Sequence, residues 1–184
     1  MSYSVQSYLT DKTKIQQVYG CKDLTLYNEL CEAFQDQLDE HSDYFDNELE
    51  PHSITFVDIL LDIINGEIQY NELTFAYGYV YELLCEHYGE VFYPTSDEYS
   101  TPYYETVETE LTSKAFIPIP FSEDFPSIYS IAIEDLDKEV TPFIENYRRK
   151  KEIDEETYTL EQEDFLYAFE LAKKQNKDLV FFLY

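Results

Sequence analysis

A chain of 184 residues with 44% apolar side chains, 13 Phe and 19 Tyr has the material for one folded domain. It is long enough to bury most of its surface without a metal or a disulfide staple. Its 39 acidic against 12 basic residues give a formal net charge of −27, which repels nucleic acid and anionic membrane, attracts cationic partners and excludes a basic nucleic-acid-binding module.

Residues 3–9 alternate loosely between apolar and polar and read as a short strand. Thr10 is placed to cap a helix over 11–19, which Gly20 ends. Tyr27, Leu30, Cys31, Phe34 and Leu38 then recur at spacings of three and four, the apolar face of a second helix. Its other face is acidic, and the acids run on through Asp36, Asp39, Glu40, Asp43, Asp46, Glu48 and Glu50 until Pro51. Ser53 is set to cap a helix over 54–65 with Gly66 just past its end, and Asn71 opens another to Tyr88, stopped by Gly89. Both are apolar nearly all round and are expected at the centre of the fold. Gly78 costs the second of them about 1 kcal/mol against alanine, which a close packing contact would offset.

Residues 92–127 change character, holding five of the seven prolines among Ser, Thr, Tyr and Glu. Pro118 and Pro120 keep 116–121 extended and remove ladder donors, so this is an edge strand or a packed loop. Tyr103, Tyr104, Phe116, Ile117, Phe121 and Phe125 make the whole stretch too apolar for a linker, and it reads as an excursion packed on the core. A weak alternation over 128–133 suggests a further strand. Thr141-Pro142 has the form of a cap and first turn for the next helix, with the basic run 148–151 in its last turn. Thr159 to Gln162 is a capping box for the last helix, which turns Phe165, Phe169 and Ala172 inward. Residues 178–184 close the chain as a continuous apolar strand, which needs cover on both faces and therefore a central place in a sheet. Burying it brings the two chain ends together as neighbouring strands, with 54–65 and 71–88 packed against them. The fold class is α+β: a helix-rich single domain over 1–184, with a small sheet formed by the N- and C-terminal strands.

Three cysteines, Cys21, Cys31 and Cys85, are an odd number without close spacing, as expected of reduced thiols in a cytoplasmic protein. The N-terminus has neither a positive start nor a long apolar run, and no stretch is long and apolar enough to span a bilayer. Stability should rise with added salt, because self-repulsion opposes compaction.

Phosphate-cradling glycine loops, His-Glu-x-x-His helices and Gly-x-Ser-x-Gly elbows are missing, and nothing in the sequence calls for a cofactor or a metal. The histidines His41, His52 and His87 lie in separate segments, whereas metal sites need clustered ligands. Glu82, Glu86 and His87 form the one constellation with catalytic potential. With Cys85 beside them, Glu82 and Glu86 share a helix face four residues apart, a spacing at which carboxylates bind a divalent ion or raise one another's pKa for acid–base work; the same pattern is also that of a polar stripe on a buried helix. The acidic run lacks the order of a calcium loop. It reads either as a solvated face or as a docking surface for a basic protein, with Asp36, Asp39, Asp43 and Asp46 around the apolar anchors Tyr44 and Phe45.

The opening 3–9, the middle Tyr77-Gly78-Tyr79 with 82–89, and the closing 177–184 resemble a group of small bacterial proteins of unknown function. The resemblance covers essentially the whole chain and implies a helix-rich α+β domain with its terminal strands in one sheet, with no catalytic residues to carry over. In size and acidity the chain also resembles immunity proteins, which mask the basic active sites of toxins. Three readings follow: a non-enzymatic cytoplasmic protein that binds a basic protein, of the immunity-inhibitor type; a small hydrolase using Glu82, Glu86 and His87, with or without a divalent metal; or a plain structural protein whose acidity serves solubility or a high-salt habitat.

Overall fold

The computed structural model describes residues 4–92, 107–108, 111–121, 126–151 and 160–184. Its frame is a four-stranded antiparallel sheet in the order β2-β1-β4-β3, formed by β1 (Val5–Thr10), β2 (Glu90–Phe92), β3 (Ser127–Ile131) and β4 (Asp178–Leu183). β4 is central, paired to β1 from Val5↔Leu183 to Thr10↔Asp178 and to β3 from Ser127↔Leu183 to Ile131↔Leu179. The chain ends are thus neighbours in one sheet, and Ser4 and Tyr184 extend the pairing by exchanging both backbone hydrogen bonds at 3.0 Å.

The period of two along β4 divides the core. Val180 and Phe182 join Tyr8 and Ile128 on one face, while Leu179, Phe181 and Leu183 join Leu9, Tyr129 and Ile131 on the other. Every residue from Leu179 to Leu183 is fully buried, which explains why the strand has no polar face. Over the first face lie α1 (Lys12–Val18), α2 (Leu24–Ala33), α3 (Gln35–Tyr44), the single turn α4 (Asp46–Leu49), α5 (Phe56–Asn65) and α6 (Thr74–His87). The second face is covered by α7 (Leu136–Lys151) and α8 (Leu160–Gln175), which bring Leu136, Val140, Phe165, Ala168, Phe169 and Ala172.

α5 and α6 form the middle of the first layer, as their apolar circumference requires. Gly78 sits where α6 meets the chain entering β3: a Cβ there would lie 3.0 Å from Pro126 Cγ, so the absent side chain allows the close approach. At the end of α5, Gly66 adopts φ +70° and packs on Gly20, also at φ +70°. The facing turn donates from Gly20 N to the carbonyl of Ile63 and from Lys22 N to that of Ile64, satisfying the last turn of the helix. Beside it the buried Asp62 accepts from the Tyr77 hydroxyl at 2.5 Å and from Gln69 N and Nε2 at 3.0 and 2.6 Å, holding the α5–α6 connection inward.

Several boundaries differ from the sequence reading. Thr10 ends β1, and Asp11 caps α1 by accepting from Lys14 N. Asp178 strengthens that junction: its carboxylate accepts from Lys12 N at 2.7 Å and from Ile133 N at 2.9 Å, tying the start of α1 to the turn after β3. Thr55 stands at the N-cap of α5, its amide and hydroxyl donating to Asp58, whereas Ser53 takes a left-handed backbone, φ +55°, at the end of the 3-10 turn Glu50–His52. α6 opens at Thr74 because 70–73 form a turn, with Leu73 N bonded to the Tyr70 carbonyl.

The single helix expected through Leu38 is broken at Phe34 and again at Phe45, where ψ opens to 10° and 25°. Both rings turn into the first layer, and α2, α3 and α4 wrap around α5. α7 begins at Leu136, not at Thr141, directly after the 3-10 turn Ile133–Asp135; Pro142 lies inside it. β2, three residues long, carries too little pattern to be recognised from sequence.

Ile117 and Ile119 are buried, and Phe116 N donates to Tyr81 at 3.1 Å, so this part of the proline-containing stretch is a packed loop. Tyr3, Pro94, Pro102, Tyr103, Tyr104, Phe125 and Thr159, and the side chains of Ile144, Tyr147 and 148–151, lie outside the described residues. Among the described residues no helix is long and apolar enough to cross a membrane.

Candidate functional site

α3 is amphipathic because its inward residues, Leu38 and His41, continue the face begun by Phe34. The His41 ring lies 4.8 Å from Tyr79 and 5.3 Å from Phe56, and burial lowers its pKa. The outward side of the helix carries mostly acids, beside Gln35 and Tyr44. Asp36, Asp39, Glu40, Asp43 and Asp46 are all exposed, and among the described residues none of them enters an ion pair.

The two expected apolar anchors part company. Tyr44 is 77% exposed, the most exposed large apolar side chain described. Phe45, at the kink, packs at 4.7 Å from Phe75 and 5.2 Å from Tyr79, and so serves as the inner footing against which Tyr44 stacks edge-on at 4.8 Å. A cleft of about 250 Å³ opens on the neighbouring side of α3, lined by Cys31 and Glu32 of α2, Gln35, Leu38 and Asp39 of α3, and Val57 of α5. Burial first, and the neighbouring Cys31 thiol second, push the Tyr27 pKa up to about 12, while burial raises that of Cys31. The sequence holds no signal for this cleft, since it depends on the break at Phe34.

A charge division accompanies this geometry. No lysine or arginine occurs between Asp23 and Ser113, a span that supplies α2 to α6 and β2. Apart from Lys12, Lys14 and Lys22, every lysine and arginine of the chain falls at Lys114 or later in the sequence. The α2 to α6 part of the first layer therefore carries acids and no lysine or arginine.

Glu82 and Glu86 share a face of α6, and their mutual repulsion contributes to a raised Glu82 pKa, although burial contributes more. Glu82 turns to the first face of the sheet, accepting from the hydroxyl of Tyr8, in β1, at 2.9 Å and from that of Tyr184, just past β4. Glu86 and His87 are exposed, and the His87 ring lies edge-on to Phe34 at 5.4 Å and to Tyr88 at 4.7 Å. The structure thus brings Glu82 to two tyrosines that sequence reasoning missed, 74 and 102 residues distant, and leaves His87 against aromatic rings. Cys85 is fully buried and burial raises its pKa far, so it remains a thiol. Among the described residues no three His, Cys, Asp or Glu side chains gather as a metal site.

A family model for a domain of unknown function, DUF7691, matches residues 1–184. The chain belongs to the DUF7691 family. No curated protein and no solved structure matches it. The DUF7691 fold described here therefore rests on its own geometry, and the acidic first layer with Tyr44 and the adjoining cleft is its most developed candidate surface.

Proposed function

We propose that the chain is a non-enzymatic binding protein whose partner is a basic protein, docked on the α2–α3 side of the first layer. In its sharper form the reading is an immunity-type inhibitor, which covers the basic site of a toxin. The observation that carries it is the pairing of exposed, ion-pair-free acids on α3 with a span from Asp23 to Ser113 that contains no lysine or arginine. Such a field steers a cationic partner at long range, and Tyr44, held out on Phe45, offers the aromatic anchor that interface centres favour. An acid–base function for Glu82, Glu86 and His87 draws less support, because Glu82 is engaged by Tyr8 and Tyr184 and His87 lies on Phe34 and Tyr88.

The test is capture of proteins from the source cells on immobilised wild type and on a D36N/D43N/Y44A variant, at low and moderate salt. The reading expects a basic protein retained by wild type, weakened by salt and lost from the variant. Retention of nothing, or equal retention by both, removes it.

A further inference from the structure

Beyond general acidity, the half-open cleft between α2, α3 and α5 combines apolar and acidic lining residues. Its volume, about 250 Å³, falls below the roughly 300–1,000 Å³ of sites that enclose drug-sized ligands, and suits a single long side chain. Leu38, 1% exposed, and the half-buried Val57 give it an apolar base. Glu32 and Asp39 stand exposed at the rim on consecutive helices, and Gln35 between them adds an amide oxygen. Neither carboxylate is in an ion pair among the described residues, and the nearest cation in sequence is Lys22. Cys31 stays a neutral thiol there.

We infer that this cleft receives one arginine side chain of the basic partner, its methylene stem on Leu38 and Val57 and its guanidinium between Glu32 and Asp39; the inference rests on the docking function proposed above. An apolar base with two carboxylates at the mouth matches an amphipathic cation, whose stem buries while its head stays at the wet rim. Arginine fits better than lysine because its planar fork donates to two acceptors at once and is more weakly hydrated. The cleft would thereby fix the register of a complex that long-range charge only brings together.

Amide chemical shifts of the full chain, titrated at low ionic strength with the capped tripeptide Gly-Arg-Gly, test the inference against the isosteric tripeptide in which citrulline replaces arginine. The arginine peptide should give saturable shifts at Cys31, Glu32, Asp39 and Val57, and the citrulline peptide should give none. E32Q/D39N, exposed substitutions that leave the melting temperature in place, should weaken arginine-peptide binding by about tenfold, and D36N/D43N should weaken it less than twofold. Non-saturating shifts spread over all acidic segments, or equal responses to both peptides, would overturn the inference. Partner capture separates its failure from that of the docking reading. Loss of the partner with D36N/D43N/Y44A but not with E32Q/D39N removes the cleft and keeps the docking surface; loss with neither removes both.

Discussion

Replacing Phe181 and Phe182 one at a time tests whether β4 is covered on both faces. The two residues are adjacent, equally buried at 0% exposure, and face opposite layers. Phe182 lies edge-on to Tyr8 at 5.6 Å and tilted on Tyr81 at 5.8 Å, under α6; Phe181 lies 5.9 Å from Phe165 of α8. Truncating a buried phenylalanine to alanine costs about 3–5 kcal/mol in lost transfer energy and cavity. For a chain of this size each kcal/mol lowers Tm by about 2–4 °C, so each variant should melt roughly 6–20 °C below wild type. The combined loss, about 6–10 kcal/mol, is comparable to the whole stability of an ordinary domain, and F181A/F182A should not fold. Urea unfolding followed by circular dichroism, with the slope m compared between variants, measures the losses. If either single variant lost less than about 1 kcal/mol, its face of the strand would not be packed and the two-layer cover would be wrong.

Three further outcomes follow from particular contacts. G66A should lose about 2–4 kcal/mol, since a Cβ at φ +70° would also sit 2.8 Å from Gly20 Cα, whereas G20A, whose Cβ meets Gly66 Cα at an ordinary 3.6 Å, should lose only about 1–2 kcal/mol by thermal melting. Y77F removes a donor from the buried Asp62 carboxylate and the acceptor for Tyr70 N, and should cost about 1.5–3 kcal/mol in chemical denaturation; a neutral result would show that the Asp62 network does not hold the α5–α6 connection. The raised pKa of Glu82 makes the folded state bind its proton more tightly than the unfolded state does. Its contribution is therefore fully present below the unfolded value of 4.5 and is lost as pH rises through the higher folded value. The Tm of wild type minus that of E82Q should fall as pH is raised from below that value towards neutrality; a difference that is flat or rises would mean the carboxylate is not held in a desolvating site.

Periodicity exposed the parts of this fold that local chemistry controls. The continuous apolar run at the C-terminus required two covering layers, and the rings and aliphatic side chains around 54–65 and 71–88 required a central place; β4, α5 and α6 meet both requirements. Breaks set by tertiary packing stayed hidden. The three-and-four spacing runs through Phe34 without interruption, so nothing local reports that this ring turns inward and divides α2 from α3. Thr141-Pro142 carried a sound capping signature, but the apolar demand of Leu136 and Val140 on the sheet starts the helix earlier. At the candidate surface the acids and Tyr44 were legible, while Phe45 was drawn into the core by Phe75 and Tyr79. The cleft and the Tyr8–Glu82–Tyr184 contact join residues distant in sequence, which a one-dimensional pattern does not encode.

The affinity of the captured basic partner for wild type and for D36N/D39N/D43N, measured across a salt series, bears most directly on the proposed function. Exposed carboxylates act through a field that salt screens, with a Debye length of about 10 Å at 0.1 M ionic strength. Wild type should bind tightest at low salt and weaken steadily as salt is added. The variant should be weaker at low salt and approach wild type at high salt, where only Tyr44 and other contacts remain. Equal affinities for the two proteins at every salt concentration would contradict an acidic docking surface on α3.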